Sequence, residues 1–306
     1  MSRLRIYNTS LAFAGEIDDF EMLSIVRKYR GREVLDMTIS ADKTNVDQLL
    51  KHYILTYGDY KVYEIEHSEL SLVPNIPIKK IKAYGFGKTL AKRITVPPVG
   101  SAYDRITSQS PEYIVKDWID NNMVSAVDTD RNIPYMAIAT NQDRGTVVTD
   151  QTRYKKLDLE VSRVLAVDDL GYRFNKVGST IEFDVYEGID RSVGNGVNSE
   201  AIFSVKYDNI LDEKYIDSAV TNQNQIYAGG TGEGVARVIE EVGSDASYER
   251  YEGFLDARDV TDTAELASRG AAAQVTDVQT LTIKFDPNAN LVNGIDRDWE
   301  TLVAFI

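Results

Sequence analysis

The sequence predicts a β-rich α+β fold, and three observations carry that prediction. Strand-like segments dominate residues 1–93, two helical segments and a hairpin follow, and strands with one further helix close the chain. A parallel α/β enzyme would alternate strand and helix regularly, which this order does not.

The first region holds "VLDMTIS", "YKVYEIEHSELSLV" and "IPIKKIKAYGF", rich in the β-branched and aromatic residues that fit a pleated surface. Proline and glycine in "TVPPVGS", Thr95 to Ser101, break that pattern and suggest a boundary. Ser110-Pro111-Glu112 then reads as an N-cap, a proline at the first helical position and a first-turn acid, with Ile114, Val115, Trp118 and Ile119 on one face. A second helix is predicted in "YKKLDLEVSRVLAVDDLG", where Leu157, Val161, Val164 and Leu165 align and Gly171 is placed to end it.

The hairpin reads as "YRF", a turn at "NKVGS" and the alternating strand "TIEFDVY". "GIDRSVGNGVNSE" is a polar loop, and "AIFSVKY" and "TLTIKFD" are strands. Between them lies a helix near Ala264 to Val275, opened by Asp262 three residues before Glu265. Its Ala267, Gly270 and Ala271 are small enough to press against a sheet or another subunit.

Composition removes several functions. With 306 residues, 43% of them hydrophobic, the chain can bury two or three cores. No segment approaches a membrane span, and "MSRLRIYNTSLAFAGEIDDF" lacks a signal peptide's apolar core, so a cytoplasmic start is expected. The lack of cysteine rules out thiolate metal sites and cysteine nucleophiles. His52 and His67 stand fifteen residues apart, outside any helical zinc spacing, and are expected to be ordinary side chains. The net charge of −14 argues against a tight grip on nucleic acid, and such an acidic surface lets a polyanion slide past.

One stretch invites a catalytic reading. "YAGGTGEGVARVIEEVG", Tyr227 to Gly243, has glycines at Gly229, Gly230, Gly232 and Gly234 ahead of helically spaced valines and isoleucine. It fails as a dinucleotide fingerprint because Val235 takes the third glycine's place, and as a phosphate loop because Val235-Ala236 replace Lys and Ser or Thr. Residues 235–242 are short for a helix, and a strand leaving a glycine turn is expected. Both faces of that strand are mixed, which suits a barrel wall with a core behind it and a subunit contact or wet channel in front.

"FDVYEGIDRS", "AIFSVKYDNILDEKYIDS", "YAGGTGEGVAR", "RYEGFLDARD" and "AELASRG" occur in this order, and together they resemble the ReqiPepy-type siphophage tail proteins. "IVRKYRGREVLDMTIS" is similar to that family's opening barrel, a basic-aromatic strand leading into a second strand. The resemblance implies a tail-tip or baseplate hub, in which three subunits with two tail-tube-like β-barrels each form a pseudo-sixfold ring. It places the barrels at residues 1–93 and 200–306, with a helix and hairpin domain at 94–199 between them. The ending "NANLVNGIDRDWETLVAFI" departs from the family's pattern and reads as short or divergent.

Carried onto this chain, the family's motif residues are Gly188, Asp190, Arg191 and Ser192, then Gly230, Gly232, Gly234 and Arg237, then Arg250, Glu252, Asp256, Arg258 and Asp259. The last group is expected to be a salt-bridged strand end in preference to a pair of catalytic carboxylates. No catalytic, cofactor or metal residue is assigned. The expected partners are two further copies in a homo-trimer, a distal tail or tube protein above and a tip or fibre protein below, with DNA passing unbound. The expected location is the virion tail tip, after assembly in the host bacterial cytoplasm. Two alternatives stay open: a carboxylate-based cell-wall hydrolase, and a saccharide-binding receptor module suggested by the 18 tyrosines.

Overall fold

The computed structural model describes residues 3–58, 61–73, 76–191, 194, 196–198, 210–243, 248–275, 278–285 and 301–302. The chain divides into two compact units, Met1–Gly188 and Ile189–Ile306.

The first unit opens with seven antiparallel strands: β1 (Leu4–Tyr7), β2 (Phe13–Ile17), β3 (Met22–Val26), β4 (Val34–Ser40), β5 (Ile54–Tyr57), β6 (Lys61–Val73) and β7 (Ile76–Gly85). They lie in the order β2-β1-β5-β6-β7-β4-β3. β6 spans 13 residues, pairs with β5 through its first four and with β7 from Tyr63 onward, and shifts register between Ile65 and His67. A bulge of this kind bends a strand and strengthens its twist, so the sheet curls into a half-barrel. Leu4, Ile6, Leu35, Met37, Ile39, Leu55, Tyr63 and Ile65 alternate inward along their strands and form the core of that curl.

Side chains lace the gap between β2 and β3. Asn45 Nδ2 donates to Glu16 O at 2.9 Å, the Ser40 N–H donates to Glu21 Oε2 at 2.8 Å, and Lys43 pairs with both Asp19 and Glu21. Gly15 must be glycine here, since a Cβ would stand 2.8 Å from Asn45 Cγ. The basic-aromatic segment Arg27 to Arg32 is a loop between β3 and β4, not the strand expected. Its Tyr29 Oη donates to Asp169 O at 2.8 Å and accepts the Gly188 N–H at 2.9 Å, and Arg30 reaches Asp169.

The unit continues with β8 (Asp104–Gln109), α1 (Pro111–Ile119), β9 (Met136–Ile138), β10 (Val148–Thr152), α2 (Leu157–Ala166) and the hairpin β11 (Leu170–Val177) and β12 (Thr180–Glu187). Ser110 caps α1 as expected, its Oγ accepting the Tyr113 N–H at 3.2 Å. Trp118, Val161, Leu165, Phe174 and Phe183 are buried together, and the same core takes in Tyr7, Ile54, Val62, Phe86 and Leu90. Residues on both sides of Thr95–Ser101 therefore pack into one core, and Thr95 itself is buried against Thr152 at 2.9 Å.

Two sequence expectations shift here. Gly171 does not end α2; the left-handed residue after the helix is Asp169, at φ 51°. Gly171 sits inside β11, where a Cβ would come within 2.9 Å of the rings of Tyr186 and Tyr29. The hairpin turn is also tighter than "NKVGS", because Asn175, Lys176 and Val177 all remain paired and Gly178 alone turns at φ 55°.

The second unit contains β13 (Ile189–Asp190), β14 (Ile210–Ser218), β15 (Gln225–Gly229), β16 (Ile239–Val242), β17 (Glu252–Asp256), α3 (Thr263–Ala273), β18 (Val278–Phe285) and β19 (Thr301–Leu302). β15 is central, antiparallel to β16 and parallel to β17; β14 pairs with β18 and β13 with β19. Asp262 caps α3 as its spacing predicts, accepting the Glu265 N–H at 2.9 Å. Of the small residues, Gly270 serves the sheet, where a Cβ would lie 2.7 Å from Val242 Cγ2, while Ala271 is exposed. The expected strand 201–207 and the ending after Phe285, apart from β19, lie outside the described residues.

Candidate functional site

The glycine stretch builds a clamp. Gly229 ends β15, Gly234–Ala236 form one short 3-10 turn, and β16 begins only at Ile239, so the expected strand occupies just the second half of residues 235–242. Gly230 N–H donates to Val238 O at 2.8 Å and Val238 N–H donates to Thr231 O at 3.0 Å, closing the loop at its neck. Gly232 stands at φ 101°, and a Cβ there would meet Ala236 O at 2.5 Å. Gly234 turns at φ 55° with open space around it, so its conformation alone calls for glycine.

Arg237 holds this loop from within. Its guanidinium donates to Gly229 O at 2.8 Å and Gly230 O at 3.1 Å, pairs with Asp256 and lies 5.2 Å from the Phe254 ring centroid. Nε and Nη2 of the planar guanidinium are thus engaged by acceptors within the fold. Arg258 joins Asp256 at 3.3 Å.

On the same sheet Arg250 pairs with Glu252 at 2.6 Å and Glu241 at 2.8 Å and donates to Tyr227 Oη at 2.8 Å. Hydrogen bonding to Glu241 and then to Glu252 raises its pKa above the ordinary guanidinium value. Asp259 takes Arg269 at 2.8 Å, and Arg269 also binds Glu265 within α3. Arginines separate the carboxylates of "RYEGFLDARD" throughout, the arrangement of a pinned strand end.

The other expected motif residues lie elsewhere. Gly188 closes the first unit through Tyr29, Asp190 forms β13 with its carbonyl accepting from Asn198 Nδ2 at 2.9 Å, and Arg191 follows it. Ser192 lies outside the described residues. His52 pairs with Glu64 at 2.9 Å and His67 lies 3.6 Å from Glu69. Among the described residues, no three acidic, histidine or cysteine side chains gather as a metal site.

Two buried charge networks in the first unit escaped the sequence reading. Glu112, fully buried, accepts from Lys116 Nζ at 2.6 Å, from the Arg144 backbone N–H at 2.9 Å and from its guanidinium at 3.1 Å; Lys116 reaches on to Asp184. Arg163 binds Asp150 at 2.8 Å and Glu160 at 3.0 Å. Burial pulls its pKa down, and Asp150 and Glu160 outweigh that to hold it above the ordinary value. The i, i+4 spacing of Glu112 and Lys116 was a readable signal; Arg144 and Asp184 arrive from distant chain and left none. Asp104 is buried with Oδ2 unbonded, and burial, reinforced by Asp117, pushes its pKa up to about 6. The cleft between Lys28, Glu33, Lys61, Tyr172 and Arg173 measures about 20 Å³, room for one water and not for a substrate.

A curled antiparallel sheet, a helix-backed hairpin and a clamped second unit make a scaffold of pinned strands. The same fold recurs in solved phage tail proteins. The 43 kDa tail protein of prophage MuSo2 from Shewanella oneidensis matches with a TM-score of 0.54 at 12% identity, over 99% of this chain and 88% of that one. The prophage tail protein gp18 from Listeria monocytogenes EGD-e matches with a TM-score of 0.52 at 10% identity, over 87% and 76%. The tail protein from Neisseria meningitidis MC58 matches with a TM-score of 0.51 at 9% identity, over 88% and 74%. No curated protein matches the sequence. The fold is thus that of phage tail proteins. The chain belongs to the siphovirus ReqiPepy6 Gp37-like protein family, which matches residues 3–303.

Proposed function

We propose that this chain is a non-enzymatic structural hub of the phage tail tip, acting as a trimeric pseudo-sixfold ring around the passage through which DNA leaves. The observation that carries this reading is the curled half-barrel sheet of the first unit within a fold shared with prophage tail proteins along nearly the whole chain. In this reading residues 1–93 and 200–306 supply the two tube-like barrels and residues 94–199 the domain between them. A tube or distal tail protein sits above the ring and a tip or fibre protein below. The clamped glycine loop and the arginine-pinned strand ends support a structural role, since their polar groups are engaged within the fold. The net charge of −14, tripled in the ring, disfavours adhesion of DNA to the passage.

The test is the shape of the purified assembly. Negative-stain images are expected to show a ring with threefold symmetry and a central hole. Solid particles without a hole would remove the passage, and peptidoglycan cleavage by the purified protein would overturn the non-enzymatic reading.

A further inference from the structure

Charge divides unevenly between the two units. Of the 34 basic and 48 acidic residues, 25 and 27 lie in Met1–Gly188, leaving 9 and 21 in Ile189–Ile306, a net −2 against −12. Three such acidic units in mutual contact would repel, and a ring built on those contacts would oppose its own closure.

The nearly neutral first unit carries a concentrated exception. The segments around Ile94 and Lys156 pair as an antiparallel bridge, with Thr95 N–H donating to Lys155 O at 2.9 Å and Tyr154 N–H to Thr95 O at 2.8 Å. This pairing sets Lys156 beside the segment that carries Arg93, and Lys156 Nζ donates to Ala91 O at 3.4 Å. Arg131 joins them: Arg93 Nη2 donates to Arg131 O at 3.0 Å and Arg131 Nη2 donates to Ile94 O at 2.6 Å.

In a protein where most arginines have a carboxylate, these three cations have none within ion-pair distance among the described residues. Their contacts are carbonyls. Burial, and then the neighbouring Arg93 cation, lower the Arg131 pKa, with Asp128 opposing. Tyr154, bonded to Thr95 next to Ile94, is 59% exposed, so the patch also offers apolar area. Unpaired cations packed against one another store repulsion that an anionic partner relieves.

We infer that the patch formed by Arg93, Arg131 and Lys156 is the docking surface for the acidic second unit of a neighbouring copy of this chain. The inference rests on the ring reading and deepens it. Contacts are heterologous, first unit to second unit around the ring, and the rotation closes after three copies. Asp217 and Glu233, exposed on the second unit, are of the kind that would meet the patch. A ring with six lobes then alternates acidic and nearly neutral ones, so it is threefold in charge.

The experiment compares the wild-type chain with an Arg131→Glu/Lys156→Glu variant by sedimentation, alongside carbodiimide cross-linking of a mixed sample of isotope-labelled and unlabelled protein. The inference expects a wild-type trimer, a rise of about 10-fold or more in the variant's dissociation constant with unchanged circular dichroism, and intermolecular links from Lys156 to carboxylates of the second unit. A wild-type monomer at assembly concentrations would remove the ring reading itself. A trimer that persists in the variant, or links confined to the first unit, would overturn the docking surface while leaving the ring. Loss of binding to a short DNA duplex in the variant, with the trimer intact, would reassign the patch to nucleic acid and likewise overturn it.

Discussion

The two units hold their charges differently. The first buries Glu112, Lys116, Asp150 and Glu160 inside or beside a core of more than twenty apolar side chains. The second has, among the described residues, a buried core of Ala228, Ala257, Val260 and Leu266; it buries Arg269 against Asp259 and Glu265 and sets Arg237 and Arg250 on carbonyls and surface carboxylates. A buried pair resists the loss of either partner, because the survivor is left unpaired in a dry interior, whereas an exposed pair loses little. The same chemistry is therefore structural across the first unit's networks and at Arg269, and marginal at Arg250.

The largest effect is expected at Glu112. Glu112→Ala leaves Lys116 buried and takes from Arg144 its backbone and guanidinium contacts, a loss of about 3–5 kcal/mol by denaturant unfolding. A loss below about 1 kcal/mol would show that water enters the site. The next is Gly232→Val in the second unit. It forces a β-branched residue into φ 101° against Ala236 O, and a loss of about 1–3 kcal/mol is expected, with amide exchange rising in β15 and β16 first.

How far the sequence reveals these sites follows from where their partners come from. Local spacing is enough for α1, whose Ser110-Pro111-Glu112 start stands as read, and for the Asp262 cap of α3. The β-branched and aromatic content of their segments also brought out the curled sheet's strands β4, β6 and β7. Gly171 misled because a glycine after a helical pattern looks like a cap, when its real constraint is the pair of tyrosine rings across the sheet. The Arg237 clamp was half legible: the glycines were visible, but the arginine's carbonyl acceptors depend on a loop closing on itself. Arg144 and Asp184 in the Glu112 network, and the Arg93–Arg131 contact, come from distant segments, for which one sequence carries no signal.

A smaller effect separates pH from packing. Asp104 has a folded pKa of about 6, above its value in an unfolded chain, so its proton is lost more easily on unfolding. Stability is full below the unfolded pKa near 4 and falls as pH rises through 6. Asp104→Asn is expected to raise Tm at pH 8 by roughly 2–4 °C and to leave it unchanged at pH 4. An equal shift at both pH values would attribute the change to packing. The smallest effect is at Arg250, where Arg250→Lys keeps an exposed cation between Glu241 and Glu252 and should leave Tm unmoved within error in physiological salt. A clear drop would mean that the exposed pairs of the second unit are as structural as the buried ones of the first.

The central claim, a structural ring of three copies, is tested most directly by the mass of the wild-type protein from sedimentation equilibrium across concentration. The account predicts convergence on three times the 34.3 kDa chain as concentration rises. A mass that stays at that of one chain throughout would contradict it.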